Sequence, residues 1–284
     1  MFPKEWRLPF EGWINKFLDW LIVSYGFVFE AINWAVLQVL VKVDRGLAAL
    51  PWWIIIIVLA GLGYHASRRW QLSVTIAGAL FLIGLLGLWE LATQTMALLL
   101  VSVIISALLG LPLGILSAGS RRTEAVLAPL LDLMQTMPPF VYLIPAVMLF
   151  GLGKVPAIIA TVIYAVPPLV RLTSLGIRLV DPEVIEAADS YGTGRLAKLM
   201  KVQIPLAMPN IMAGLNQCTM MALGMVVVSS MIGARGLGEY VLLGIQRLDV
   251  GKGAAGGIAI VALAVVFDRI TQAYGQRLMR HRGT

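Results

Sequence analysis

Seven long apolar segments dominate this sequence, and they restrict the chain to a fold that crosses a membrane. They cover residues 52–67, 70–89, 91–118, 127–150, 155–177, 209–233 and 253–272. A helix needs about 20 apolar residues to cross the hydrocarbon core of a bilayer. The segments show no alternation of apolar and polar residues and are too long for the strands of a membrane barrel. We therefore predict an all-α integral membrane protein, a polytopic bundle of about seven transmembrane helices.

Composition and charge exclude several classes of function. Hydrophobic residues make up 59% of the chain and charged residues only 13%, against about 25% charged residues in a soluble domain. The net charge of +7 does not indicate a nucleic-acid partner, because the basic residues lie between the apolar segments rather than in one patch. Cys218 is the only cysteine, and His65 and His281 lack ligand spacing. We expect no disulfide, no metal site and, without paired catalytic acids, no enzyme activity.

The N-terminal region, residues 1–50, allows two interpretations. Within residues 13–43 the polar positions recur at spacings of three, four and seven, at Asn15, Asp19, Gly26, Glu30 and Asn33. This spacing predicts an amphipathic helix with one narrow polar stripe, lying at the membrane surface. The alternative is an eighth span whose stripe packs on neighbouring helices. The next two segments, within residues 51–90, are predicted to be accessory transmembrane helices.

The distribution of Lys and Arg predicts the orientation of the bundle. When the loops are assigned alternately to the two sides, one side holds eleven basic residues and the other holds four. The larger set is Arg68, Arg69, Arg121, Arg122, Arg178, Arg195, Lys198, Lys201, Arg277, Arg280 and Arg282, and the smaller is Lys154, Arg235, Arg247 and Lys252. Basic residues accumulate on the cytoplasmic side. We therefore expect loop 178–208 and the basic tail 273–284 to be cytoplasmic, and residues 234–252 to be extracytoplasmic.

Loop 178–208 has the sequence of a helical hairpin. Asp181 and Pro182 are typical of an N-cap followed by the first helical residue. Gly192 and Gly194 can supply the positive φ angles of a tight turn. A second helix is predicted to begin near Arg195 and to stop at Pro205.

This loop resembles the EAA loop of ATP-binding-cassette (ABC) importer permeases. Glu186-Ala187-Ala188 is followed after three residues by Gly192, and after nine more by Val202-Gln203-Ile204-Pro205. The resemblance implies that Glu186, Ala187, Ala188, Gly192 and Pro205 couple the chain to a cytoplasmic ATPase. The five segments within 91–272 resemble the type I, or MetI-like, permease core.

Four further segments resemble the permeases for glycine betaine and proline betaine. They are Asp132–Pro145 (DLMQTMPPFVYLIP), Leu149–Pro156 (LFGLGKVP), Val166–Thr173 (VPPLVRLT) and Ile232–Gly238 (IGARGLG). This resemblance implies a bacterial inner-membrane importer for glycine betaine, proline betaine, choline or carnitine. It also implies a homodimer of this chain, two ATPase subunits that bind the ATP, an extracytoplasmic substrate-binding protein, and no cofactor on this chain.

A few residues near the membrane are candidates for other roles. Asp132 and Arg171 are expected to form an ion pair between neighbouring helices, which is either structural or part of the substrate path. A quaternary ammonium group is recognised by aromatic faces. Phe140, Tyr142 and Tyr164 are therefore candidates for lining that path, although core packing is the commoner role of such residues.

Two other functions are compatible with parts of the sequence. The EAA loop alone would also suit an ABC permease for an amino acid or another polar solute, which competition for uptake would distinguish. An ion-coupled secondary transporter is less favoured, because the sequence shows no internal repeat and the EAA loop would have no role. Uptake that persists without the ATPase would favour the secondary transporter.

Overall fold

A computed structural model describes residues 9–280, and all of the regular structure in this range is helical. The helices are α1 (Phe10–Ala49), α2 (Trp52–Ser67), α3 (Trp70–Leu85), α4 (Trp89–Gly119), α5 (Arg121–Thr136), α6 (Leu143–Phe150), α7 (Lys154–Arg178), α8 (Pro182–Ser190), α9 (Arg195–Lys198), α10 (Ile204–Val228), α11 (Leu237–Gln246) and α12 (Val250–Arg280). Side chains are described as far as residue 277. The predicted all-α membrane fold is confirmed, and five of the described helical segments are long and apolar enough to cross a membrane.

Helix α7 lies at the centre of the bundle, between α4 and α10. Seventeen of its 25 residues are buried. Small residues on α4 and α10 allow these two helices to approach α7 closely. A Cβ atom at Gly114 of α4 would lie 2.6 Å from the Cβ of Thr173, and one at Gly214 of α10 would lie 3.1 Å from the Cβ of Leu172. The three helices therefore pack as one unit.

The predicted span 127–150 is not a single helix. It consists of α5, a short 3₁₀ turn at Pro139–Tyr142, and α6, and the two parts are bent by 108°. The prediction failed because it followed the apolar character of the segment and did not account for the break that the consecutive prolines Pro138 and Pro139 cause. A residue that precedes proline avoids the helical region, and both Met137 and Pro138 are extended, with ψ angles of 135° and 138°.

A tyrosine compensates for the hydrogen bond that this break removes. In a continuous helix the carbonyl of Met134 would accept from the backbone nitrogen of residue 138, but Pro138 has no N–H. The hydroxyl of Tyr142 instead donates to the Met134 carbonyl. An unpaired backbone group within a membrane is costly, so this hydrogen bond stabilises the bend.

Helix α1 is continuous over 40 residues, and its C-terminal half joins the bundle. Leu40 is buried, the Asp44 carboxylate lies 2.8 Å from the Lys154 ammonium, and the Phe29 and Phe150 rings meet edge to face. Asn15, Asp19 and Glu30 of the polar stripe are exposed, whereas Gly26 and Asn33 are half-buried, and α1 is one of the five segments long and apolar enough to cross a membrane. The surface helix remains our prediction for residues 13–43.

The region 234–252, predicted as a loop, contains helix α11. Leu237 is buried and donates its backbone N–H to the hydroxyl of Thr95 on α4. Against α12, a Cβ at Gly256 would lie 2.6 Å from Val241. The spacing of Leu237 and Val241 is a helical signal that the sequence interpretation missed.

Two shorter apolar helices, α2 and α3, form a hairpin at the periphery of the bundle and pack on α12. They are joined at Arg68, which has a left-handed conformation with φ 57°. Helix α12 extends beyond the predicted span to Arg280, through most of the predicted tail 273–284. Arg282 of that tail lies outside the described residues.

Candidate functional site

The hairpin formed by α8 and α9 projects from one end of the bundle. This end also carries Arg121 and Arg178 and is called the basic end below. Asp181 caps α8, because its carboxylate accepts the backbone N–H of Glu183 at 2.9 Å, and Pro182 occupies the first turn. Helix α8 thus begins where the sequence predicts.

The end of α8 has the geometry of a Schellman motif. The N–H of Thr193 donates to the carbonyl of Ala188 at 3.1 Å, and the N–H of Gly192 donates to that of Asp189 at 2.9 Å. This motif needs a left-handed residue at the Gly192 position, and Gly192 has φ 71°. Gly194, for which a positive φ was also predicted, has φ −62° and ψ 155°. That prediction was wrong because one left-handed residue already completes the turn.

A charged contact fixes the angle between the two hairpin helices. The ammonium of Lys198 on α9 lies 2.6 and 2.7 Å from the two carboxylate oxygens of Asp189 on α8. The pair is partly exposed, so its energetic contribution is modest. It nevertheless orients α8 on the helix that follows it.

The outer surface of the hairpin is exposed and partly apolar. Glu186, Ala187 and Gly192 are exposed, while Ala188 is half-buried. Large side chains that the sequence interpretation did not single out are still more exposed, with Tyr191 at 91% and Leu196 at 73%. Such a surface outside the membrane is typical of a docking site. Tyr191 adjoins Gly192 in the sequence, but only the structure shows that its ring is exposed.

The hairpin continues into the bundle without interruption. Pro205 was predicted to stop the second helix, but α9 passes through a π turn at Leu199–Gln203 into α10. The N–H of Ile204 donates to the carbonyl of Leu199, which is five residues earlier. Such a widened turn gives the ring of Pro205 room against the preceding carbonyl groups, so the helix continues although Pro205 donates no hydrogen bond.

A small apolar cluster and two polar contacts join this segment to the neighbouring helices. Ile177 of α7 packs with Ala207 and Ile211 of α10. Arg178 lies 2.5 Å from the carboxylate of Glu124 on α5 and donates to the carbonyl of Ser117 on α4 at 2.6 Å. The base of the hairpin is therefore in contact with α4, α5, α7 and α10.

Asp132 and Arg171 form an ion pair between α5 and α7. Their side chains are 63% and 42% exposed in the single chain. Arg171 lies seven residues before the end of α7, which is about 10 Å along the helix axis. The pair therefore lies on the surface of the bundle, about two helical turns before the end of α7.

The three aromatic candidates for the path have different environments. Tyr142 is buried and supports the bend, with its ring 6.3 Å from the half-buried ring of Tyr164. Phe140 is exposed on the 3₁₀ turn. The structure therefore brings Tyr142 and Tyr164 together and leaves Phe140 on the surface.

No three His, Cys, Asp or Glu side chains in the described part of the chain cluster as a metal site would require.

Comparison with known proteins identifies relatives of the whole chain. Residues 110–280 match the family described as "Binding-protein-dependent transport system inner membrane component". The chain is 45% identical to the glycine betaine/proline betaine transport system permease protein ProW of Escherichia coli, over 97% of this chain and 77% of ProW. It is also 45% identical to the glycine betaine/carnitine transport permease protein GbuB of Listeria monocytogenes, over 97% of this chain and 98% of GbuB.

A solved structure has the same fold. A chain of the MetNI methionine ABC transporter, in an inward-facing conformation, aligns with a TM-score of 0.58. The alignment covers 68% of this chain and 95% of that chain at 21% identity. The MetI-like fold predicted from the sequence is confirmed.

We expect the ion pair between Asp132 and Arg171 to be energetically coupled. Asp132→Ala or Arg171→Leu leaves one charge unpaired on a membrane helix, and the folded abundance should fall several-fold. The double variant should recover much of that loss. The measurement is the folded protein extracted from membranes, quantified by size-exclusion chromatography.

The pair of Asp189 and Lys198 provides the matched control. It lies on the hairpin, outside the apolar helices, so its two single variants should remain within about twofold of the unmodified chain. If the folded abundance of the double variant of Asp132 and Arg171 falls by as much as the two single losses combined, the two charges are not energetically coupled.

Proposed function

This chain belongs to the family of binding-protein-dependent transport system inner membrane components, and we propose that the solutes it carries are quaternary ammonium compounds. It is a transport permease. The observation that supports the choice of substrate is the 45% identity, over 97% of this chain, to permeases named for glycine betaine with proline betaine or carnitine. Choline is included in the proposal because it carries the same trimethylammonium group as glycine betaine and carnitine.

The hairpin of α8 and α9 is proposed to dock in a cleft of a cytoplasmic ATPase subunit. Glu186 offers a negative charge to a basic residue of the ATPase, and the small side chain of Ala187 allows close approach. The exposed side chains of Tyr191 and Leu196 support this role, because a partner would remove their apolar surface from water. ATP is proposed to be bound and hydrolysed on the ATPase rather than on this chain.

The complete importer is proposed to contain two copies of this chain, two ATPase subunits and an extracytoplasmic binding protein. Closure of the ATPase subunits around ATP would move the two hairpins. The unbroken path from α9 through the π turn into α10 would carry that displacement into the membrane. The bundle would then alternate between outward and inward openings.

The orientation follows from the excess of basic residues at the hairpin end. The count of eleven Lys and Arg residues against four supports a cytoplasmic position for the hairpin and the C-terminal tail, on the inner side of the inner membrane. The extracytoplasmic end then carries the loop at Gly153, whose N–H donates to the carbonyl of Ile232 at 2.9 Å. This end would receive substrate from the binding protein.

Uptake measurements test the choice of substrate. Cells that produce the full importer should take up radiolabelled glycine betaine, and unlabelled proline betaine, carnitine or choline should compete. Unlabelled amino acids without a quaternary nitrogen should not compete, and uptake should disappear when the ATPase subunit is inactivated. Competition by ordinary amino acids alone would contradict the proposal, and uptake without the ATPase would indicate a secondary transporter.

Substitutions in the hairpin test coupling separately from folding. Gly192→Val places a β-branched residue at φ 71°, which costs about 1–2 kcal/mol for an ordinary residue, so the end of α8 should rearrange. Glu186→Ala removes the proposed charge contact. Neither residue is buried, so both variants should reach the membrane in near-normal amounts and yet lose substrate-dependent ATP hydrolysis and uptake.

Gly194→Val is the matched control. Gly194 is two residues away in the same turn and has φ −62° and ψ 155°, an extended conformation that valine adopts readily. A Cβ atom at either glycine meets no other atom within 4 Å, so the two substitutions differ mainly in backbone strain. Normal uptake by Gly192→Val, measured beside Gly194→Val, would show that this hairpin is not the coupling element.

A further inference from the structure

A cleft of about 610 Å³ separates the peripheral hairpin of α2 and α3 from the last turns of α12. Four arginines line it: Arg68 and Arg69 at the α2–α3 turn, and Arg269 and Arg277 on α12. The other residues along its wall are neutral, and Asp and Glu are absent from the lining within the described residues. The cleft is therefore strongly positive and lies at the basic end of the bundle.

Three of the four arginines have no acidic partner within the described part of the chain. Among the described residues, Arg68, Arg69 and Arg269 lie in no ion pair, since the basic partners of the four ion pairs are Lys154, Arg171, Arg178 and Lys198. Arg277 donates to the backbone carbonyl of His65 at 2.7 Å, which anchors α12 to the end of α2. Like charges around one cleft repel each other, so a bound anion would stabilise the contact between the hairpin and α12.

The backbone at Arg68 supports a role for this turn beyond the connection of two helices. Arg68 ends α2 in the left-handed conformation, with φ 57° and ψ 19°, and its N–H donates to the carbonyl of Tyr64. Glycine is the usual residue at such a position, because a side chain there is unfavourable. Non-glycine residues in this conformation cluster at functional sites. Here the strained conformation places an arginine at the cleft.

The surroundings of the cleft indicate an amphiphilic ligand. Its wall includes the apolar side chains of Ala66, Leu72 and Ala273 beside the four arginines. Trp70 and Val74, which begin α3 beside the cleft, are 67% and 58% exposed. In a membrane protein, exposed apolar residues on peripheral helices face lipid. A phospholipid suits both the arginines, through its phosphate group, and the apolar side chains, through its acyl chains. A free phosphate ion suits only the arginines.

We propose that this cleft binds the phosphate headgroup of an anionic phospholipid. The headgroup lies among Arg68, Arg69, Arg269 and Arg277, and the acyl chains follow the exposed faces of α2 and α3. The bound lipid then links the accessory hairpin to α12, a helix of the permease core. Basic pockets between membrane helices suit such headgroups, and each basic residue near the surface strengthens binding.

Native mass spectrometry of the full-length chain tests this site. The chain is purified in detergent and titrated with phosphatidylglycerol, phosphatidylethanolamine or inorganic phosphate. Phosphatidylglycerol should bind more tightly than phosphatidylethanolamine. Arg69→Gln combined with Arg269→Gln should weaken phosphatidylglycerol binding by about thirtyfold, which is the loss expected for two basic residues at a membrane surface. Arg121→Gln with Arg122→Gln makes the same change in charge at the same end, outside the cleft, and should change binding by less than about threefold.

A single substitution keeps the test independent of folding defects. Arg68→Gly removes one charge and also relieves the left-handed strain. It should raise the thermal midpoint of the lipid-free protein and weaken phosphatidylglycerol binding at the same time. Equal losses in the two double variants, or equal binding of the two phospholipids, would overturn the proposal. Displacement of phosphatidylglycerol by millimolar inorganic phosphate would also overturn it, because the site would then be one for a soluble anion.

Discussion

The satisfaction of backbone hydrogen bonds inside a membrane is the constraint on which this structure depends. Lipid offers no partner for an exposed N–H or C=O group, so each proline in the apolar part of the chain requires a local solution. At Pro138 and Pro139 the chain bends, and the hydroxyl of Tyr142 pairs with the carbonyl of Met134. At Pro205 a π turn widens the helix, and the ladder continues. The bend at Pro138 and Pro139 interrupts a span, whereas the π turn before Pro205 keeps the hairpin joined to α10.

The helix that follows the bend and the continuous helix both border α7, because α6 and α10 each pack against it. Because Gly114 and Gly214 allow α4 and α10 to approach it closely, α7 packs with them as a unit. Arg178 at its end binds both α4 and α5. The hairpin is therefore attached to several helices of the core, as a coupling element must be if motion outside the membrane is to open a path within it.

Sequence patterns predict the parts of the fold that depend on local chemistry. The apolar segments predict the membrane helices, Asp181 and Pro182 predict the start of α8, and Gly192 predicts its left-handed end. The failures have separate causes: hydropathy hid the break at Pro138, the proline rule did not allow for a π turn before Pro205, and one left-handed residue made a second at Gly194 unnecessary. Helix α11 was missed because its burial depends partly on a contact with Thr95, which is distant in sequence. The ion pair of Asp132 and Arg171 could be predicted from the sequence, because charged residues are rare in apolar segments. The exposure of Tyr191 could be found only from the structure.

The central claim is that the α8–α9 hairpin contacts the ATPase, and site-specific photo-crosslinking tests it most directly. A photoreactive residue replaces Ala187, which is exposed on α8, or Leu248, which is 88% exposed in the segment assigned to the extracytoplasmic side. In membranes that contain the whole importer, irradiation should join position 187, but not position 248, to the ATPase subunit. Adducts of position 187 with lipid alone, or of position 248 with the ATPase, would contradict the account.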